Sequence, residues 1–322
     1  MKKLSLRSIF ILTIPTLVWV SGLLFSNIWW QENILSVTAI PFLFYCLALI
    51  FTLFLRNTLQ FTFCLPFIFL WGYIHPLDNS KSLSQCPQTL KVFQYNLRYE
   101  NPSLDPLFYY LQQYPQHLLV FQETTPEHGS MLKEALKTQY PYQFGGQPRV
   151  GYPSGQLVLS QYPLFNMKTI ATQAGHQIIH GIWHPPTHDP IELYTAHPPS
   201  PRNAQLWAER NALLKTLNNL VEDYLDTDNA SPAQLIVGDF NLSSTSERYQ
   251  TLFSGFNSQP VSSWPNWSGL RHYLTISIDH LWAHYPLEIC KRKALINIAG
   301  SDHRPIVTYL TMQNNIIGAE DD

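Results

Sequence analysis

The sequence predicts an α/β fold: a four-layer sandwich of two mixed β-sheets flanked by helices, preceded by about three transmembrane helices. Two observations predict it. Three long segments at the amino end lack charge, and after them strand-length apolar runs alternate with helical periodicities. A third observation bears on chemistry. Apolar runs adjoin the polar clusters Gly238-Asp239-Phe240-Asn241, Ile278-Asp279-His280 and Ser301-Asp302-His303-Arg304-Pro305. Strand ends can aim carboxylates and imidazoles at one point, which is what a divalent cation and an activated water need to attack phosphorus.

The charge-free segments are Ser8–Trp30, Ile34–Leu55 and Thr58–Ile74, each about 20 residues, the length that spans a bilayer as a helix. Trp29, Trp30, Trp71 and Tyr73 fall near the expected interfaces. Residues 1–77 are therefore expected to be a membrane anchor. A cleaved signal peptide would share the Lys2, Lys3 and Arg7 start, but two further spans would still hold the chain. Positive charge precedes the first span and recurs at Arg56, whereas the intervening Gln31-Glu32-Asn33 turn has none. This asymmetry puts the amino terminus in the cytoplasm, and an odd number of spans carries everything after Asp78 across, to the periplasm in a Gram-negative cell. The third span is short and contains Pro66.

Cys46 and Cys64 lie within the spans, leaving Cys86 and Cys290 for one disulfide that an oxidising compartment would permit. Residues 78–322 hold 16 Lys and Arg against 21 Asp and Glu. That balance weighs against a domain that grips nucleic acid by its phosphates. The Lys291-Arg292-Lys293 run reads as a solvated turn.

Residues 78–88 form a polar linker, and the next segment, 89–312, reads as one domain followed by a polar tail over 313–322. Thr89–Asn96 alternates as a strand. Ser103 can cap a helix over Leu104–Tyr114, and His117–Glu123 is a second strand. Thr125 and Pro126 open a helix to about Gln139, since Pro suits a first turn. A Gly/Pro-rich loop over Gly145–Gly155 leads to a strand at Gln156–Ser160, then a hairpin at Gln177–Trp183 and Ile191–His197. Leu206, Leu213, Leu217 and Leu220 mark a helix within Arg202–Asp226. Gln234–Val237 and Leu274–Ser277 suit strands leading into Asp239 and Asp279, and Ile306–Leu310 follows His303.

In order, Tyr95-Asn96, Gln122-Glu123, Thr195-Ala196-His197, the Asp239 cluster, the Asp279 cluster and the Asp302-His303 cluster resemble the endonuclease/exonuclease/phosphatase superfamily over about residues 89–310. The resemblance implies a metal-dependent phosphoesterase. Glu123, with Asn96 beside it, resembles the carboxylate that binds Mg²⁺, or alternatively Mn²⁺ or Ca²⁺. His303 resembles the base that takes a proton from water, and Asp279 the carboxylate that fixes its tautomer. Asp239 resembles the group that orients the water, a role it shares with His303; Asn241 and His197 resemble donors to phosphate oxygens. Asp302 assists a metal or holds its loop. Trp264 and Arg304 are candidate substrate contacts, and His280, next to Asp279, points to the opposite strand face as a structural residue.

Alone, Asp239 and Asn241 would read as turn formers, and Asn96 as a helix cap. Their order among the other clusters favours chemistry. Gln161 stands where the resemblance expects Arg after a Ser, and Ala196 separates a Thr-His pair. The Ala196–Pro201 segment, Arg210-Asn211 and Ser263-Trp264-Pro265-Asn266-Trp267 resemble a bacterial membrane-anchored subgroup. The expected partners are the membrane, through the amino-terminal helices, and a phosphoester of lipid-headgroup or nucleotide type, with no obligate protein partner. An idle envelope binding module on the same fold is the other class in view; its signature would be loss of the base or of the metal carboxylate. Spans without internal charge give no ion pathway for a transporter.

Overall fold

A computed structural model describes residues 5–25, 28–74, 86, 89–147, 155–186, 188–225, 233–267, 274–296 and 298–313. The expected linker, apart from Cys86, the tail beyond Gln313, and Lys2 and Lys3 lie outside these residues.

Four helices open the chain: α1 (Leu6–Leu24), α2 (Trp29–Leu35), α3 (Ala39–Phe54) and α4 (Thr58–Ile74). The expectation of three spans is corrected here. Among the described residues one helix, α1, is long and apolar enough to cross a membrane; α2 and α3 reach that length only as a pair bent by 58°, and α4 has 17 residues. The cause is Gln31-Glu32-Asn33, expected as a turn, which lies inside α2 together with Trp29 and Trp30. Inter-helix packing is specific: Tyr45 Oη donates to the Leu12 carbonyl at 2.6 Å, Trp71 Nε1 to Thr16 Oγ1 at 3.1 Å, and Tyr45 stacks on Phe67.

Two six-stranded sheets follow. The first contains β1 (Leu90–Asn96), β2 (Leu118–Gln122), β3 (Tyr142–Gly145) and β4 (Leu157–Ser160). The second contains β5 (Leu164–Ala171), β6 (Gln177–Trp183), β7 (Ile191–Ala196), β8 (Ala233–Asp239), β9 (Phe256–Ser258) and β10 (Asp279–His284), before β11 (Leu287–Ala294) and β12 (Ile306–Met312) return to complete the first. The orders are β11-β12-β1-β2-β4-β3 and β5-β6-β7-β8-β10-β9. The β1–β2 and β7–β8 pairs are parallel and the others antiparallel, so both sheets are mixed.

Val92, Leu118 and Val120 of the first sheet meet Leu193, Leu235, Val237 and Leu281 of the second in a buried layer. On the outer faces, Phe93 and Phe121 pack on α5 (Asp105–Gln113) and α6 (Pro126–Ala135), and Tyr194 and Ile236 pack on α7 (Ala204–Leu225). This is the expected pair of mixed sheets flanked by helices. Thr125 caps α6 by accepting from His128 N at 3.0 Å, and at the start of α5 Ser103 Oγ accepts from Asp105 N at 3.2 Å. A short α8 (Glu247–Thr251), capped by Ser246, was not foreseen.

Two local expectations are corrected. Leu274–Ser277 is not a strand, because β8 ends at Asp239, whose antiparallel partner is Asp279; residues before it have run past that end, and Ile276 forms only a bridge with Trp264. Lys291-Arg292-Lys293 is not a turn. It lies in β11, and alternation exposes the two lysines while burying Arg292 completely.

Cys86 and Cys290 form a disulfide, with Cα atoms 6.0 Å apart and 204 residues between them in sequence. It ties the chain just before β1 to β11. Cys290→Ser is expected to lower stability by about 2–5 kcal/mol, measured as a lower urea midpoint without reductant. An unchanged midpoint would show that the bond contributes nothing.

Candidate active site

The β8–β10 register places Asp239 directly opposite Asp279, so two carboxylates from different strands stand side by side. Gly238 permits the close approach of β7: a Cβ there would lie 1.9 Å from the Ala196 carbonyl oxygen. His197, just past β7, is thereby brought to 3.6 Å from Asp239 Oδ2 and 3.7 Å from Glu123 Oε1. In the first sheet Asn96 pairs with Gln122 at the ends of β1 and β2, which puts Glu123 beside it. Glu123 and Asn241 have φ of 51° and 47°, left-handed conformations costly for non-glycine residues and common where a side chain must be aimed.

His303 Nδ1 donates to Asp279 Oδ2 at 2.8 Å, and its Nε2 faces Asp239 Oδ2 at 3.7 Å. Asn96 Nδ2 bridges Asp239 Oδ2 at 2.9 Å and Glu123 Oε1 at 3.1 Å, while its oxygen accepts from the Arg98 backbone N–H. Asn96 thus presents a donor, not an oxygen ligand, to the acids. Asn241 donates its backbone N–H to Asp239 Oδ1 and its side-chain amide to the Pro198 carbonyl. Glu123, His197, Asp239, Asn241, Trp264, Asp302 and His303 line one cleft of about 670 Å³.

Asp302 sits on the rim, where its Oδ2 accepts from Trp264 Nε1 at 2.9 Å. Arg304 is placed differently from the expectation of a substrate contact: it is buried, outside the cleft lining, and its guanidinium donates to the Trp267 carbonyl. It braces the Trp264–Trp267 loop. His280 is buried on the opposite strand face, with Nε2 donating to the Leu242 carbonyl at 2.7 Å, and burial pushes its pKa down to about 3. A larger cavity of about 780 Å³, beside His184, His188 and Asp189, contains none of these residues.

Burial, then the charge of Asp279, raises the Asp239 carboxyl to about 6, against the pull of His303 and His197. Burial opposes charge on His303 as well, but Asp279 and Asp239 override it and raise the imidazole to about 10. Burial also works against ionised Asp279, yet His303 and the hydrogen bonds from His303 and Ser263 hold its pKa below the usual range. The two carboxylates thus favour the charged form of the His303 imidazole that lies between them.

Ligand atoms of Asp239, Asp279 and His303 lie within 4.8 Å of one another. His303 Nδ1 is committed to Asp279, so the oxygen-rich side suited to a hard cation is the one shared by Asp239 and Glu123. The elevated Asp239 pKa marks carboxylate charge short of compensation, which a divalent cation would relieve. The residues present fit such an ion.

Sequence reasoning missed the support beneath Asp279. Arg292 Nη2 donates to the Asp279 carbonyl at 3.1 Å and to Gln94 Oε1 at 3.2 Å, and Asp279 N–H approaches Ser263 Oγ at 3.3 Å. Strand alternation through Lys291-Arg292-Lys293 was the available signal. Also missed was Glu32 of α2, which joins Arg210 at 2.7 Å and accepts from Trp207 Nε1; Arg210 Nη1 then donates to the Asn241 carbonyl at 3.0 Å.

Residues 93–303 match the Endonuclease/Exonuclease/phosphatase family. No curated protein matches the chain. Solved structures share the fold: an endonuclease/exonuclease/phosphatase from Beutenbergia cavernae is 15% identical with a TM-score of 0.56, covering 70% of this chain and 72% of that one. D. rerio TDP2 complexed with single strand DNA product is 16% identical with a TM-score of 0.56, covering 70% of this chain and 100% of that one. The human Nocturnin catalytic domain with bound sulfate anion is 15% identical with a TM-score of 0.55, covering 73% and 98%. With the family match over most of the domain and the two-sheet fold beneath it, the chain belongs to the endonuclease/exonuclease/phosphatase family.

Proposed function

We propose that the chain is a membrane-anchored, divalent-metal-dependent phosphoesterase that hydrolyses a phosphodiester or phosphomonoester by attack of water. The observation that carries this reading is the buried His303–Asp279 pair facing Asp239, with Glu123 across the same cleft. Asp239, ionised above about 6, takes the proton of the attacking water, and His303, charged below about 10, donates from Nε2 to a phosphate oxygen. On these electrostatics we assign the base role to Asp239, where the resemblance implied His303. Asp279 holds the imidazole and its charge, and His197 and Asn241 orient the phosphate from the other wall. Glu123 and Asp239, with Asp302 near, would hold Mg²⁺, or Mn²⁺ or Ca²⁺, which when bound neutralises charge on the phosphate.

Residues 1–77 serve as anchor, 78–88 as linker, 89–312 as catalytic domain and 313–322 as tail. The apolar α1, the bent α2–α3 pair and α4 support attachment to a bacterial inner membrane. The disulfide supports a periplasmic catalytic domain, because such bonds persist in oxidising compartments. An idle binding module is disfavoured by the intact acid pair, imidazole and Glu123.

The test is hydrolysis by the full chain in detergent of bis-p-nitrophenyl phosphate, sphingomyelin, phosphatidylinositol phosphates and plasmid DNA, with Mg²⁺, Mn²⁺ or EDTA. Turnover lost in EDTA is expected; no turnover of any substrate by folded protein would leave the binding module. The pH profile of kcat should be bell-shaped, rising through a pKa at or below about 6 as Asp239 deprotonates and falling near 10 as His303 loses its proton. A rate that kept rising through 10 would return the base role to His303.

A further inference from the structure

A second cavity, about 420 Å³ with mainly apolar walls, adjoins the catalytic cleft. Ser36, Val37, Ser243, Trp264 and Ile276 line both. One wall of the second cavity is the corner between α2 and α3, formed by Thr38, Ala39 and Ile40. From that corner α3 runs on with Leu43, Leu47, Ile50, Phe51 and Phe54 exposed, a surface suited to hydrocarbon and not to water. The other wall contains Pro265, Trp267 and Leu274. The cavity therefore adjoins the first residues of α3, and the cleft that contains Glu123 and Asp239 opens beside it. Trp264 stands at the junction, its Nε1 bonded to Asp302 in the cleft and its ring facing both spaces.

We propose that this cavity receives a hydrocarbon chain of a membrane lipid whose phosphate occupies the catalytic cleft, so that the substrate class is an amphiphilic phosphoester drawn from the bilayer. The proposal rests on the phosphoesterase reading of the cleft. Hydrolysis breaks one P–O ester bond, places the oxygen of water on phosphorus and gives a proton to the leaving oxygen. A nucleobase could stack on Trp264 or Trp267 but would leave its hydrogen-bonding edge against mainly apolar walls, and the acidic catalytic domain repels a polyanion. A cavity of this volume is in the range of small-ligand sites.

The test compares kcat/KM for p-nitrophenyl dodecyl phosphate and p-nitrophenyl ethyl phosphate, using the full chain at fixed detergent concentration. Each buried methylene contributes about fourfold in affinity, so the dodecyl ester should be preferred by at least about 30-fold. Ser244→Phe, which fills the cavity, and Ile40→Trp, at an exposed lining position, should each reduce that ratio below about threefold. A ratio equal in wild type and both variants would overturn the proposal while leaving the phosphoesterase reading intact. Absence of turnover of both esters would instead remove that reading. Photolysis of the chain in phosphatidylethanolamine/phosphatidylglycerol vesicles containing a diazirine-acyl phosphatidylglycerol then judges the cavity without chemistry. Label at residues 243–245 and 262–267, reduced by Ser244→Phe, is the expected result; label confined to α1, α3 and α4 refutes the cavity.

Discussion

Asp239→Asn is expected to lower kcat by about 10²–10⁴-fold, the range over which a positioned acid or base contributes, with metal-supported turnover of a soluble phosphodiester as the measurement. The substitution keeps the side chain's shape but removes the carboxylate that faces both His303 Nε2 and Asn96 Nδ2. Stability should move the other way. The folded pKa of about 6 lies above the ordinary 3.8, so the folded state favours protonated Asp239, and stability from this group falls as pH rises through that window. At neutral pH the buried charge is a cost, and a neutral amide in its place should leave the metal-free Tm equal or higher. Near-normal kcat would remove Asp239 from the reaction; a large fall in Tm would make the lost activity a folding defect.

Glu32→Ala is expected to destabilise the protein by about 3–5 kcal/mol, the effect of stranding one partner of a buried ion pair. Arg210 is 1% exposed and Glu32 4%, at 2.7 Å, and burial already holds the guanidinium pKa below its ordinary value. Loss of the carboxylate also strips Trp207 Nε1 of its acceptor. The damage should extend to catalysis, because Arg210 Nη1 holds the carbonyl of Asn241, the residue whose backbone N–H is bonded to Asp239. Thermal unfolding in detergent of Glu32→Ala, Arg210→Met and the pair measures the coupling. A double variant less stable than Glu32→Ala by the full effect of Arg210→Met would mean that the two side chains do not interact.

The two-sheet arrangement was legible because most strands announce themselves by local alternation and turn chemistry. The acids were legible because they adjoin those strands. Asp279 shows the limit: its run was expected to precede it, whereas β10 starts at Asp279, since pairing begins only where β8 still offers a partner. Arg292 and Gln94 were missed because support beneath a carboxylate depends on contacts across the two sheets, set by packing at long range. Glu32 was missed for a related reason. A lone acid between apolar segments reads locally as a turn, and its partner lies 178 residues away. The span count failed with it, because α2 bends against α3 where an unbroken helix was expected.

The contact between α2 and the two-sheet domain makes the amino-terminal helices part of the cleft. Asn33, Ser36 and Val37 help wall the cleft, and Asn33 and Leu35 are bonded to Pro201 and Thr245. Removing residues 1–77 would leave Arg210 without its counter-ion and the cleft with one side open.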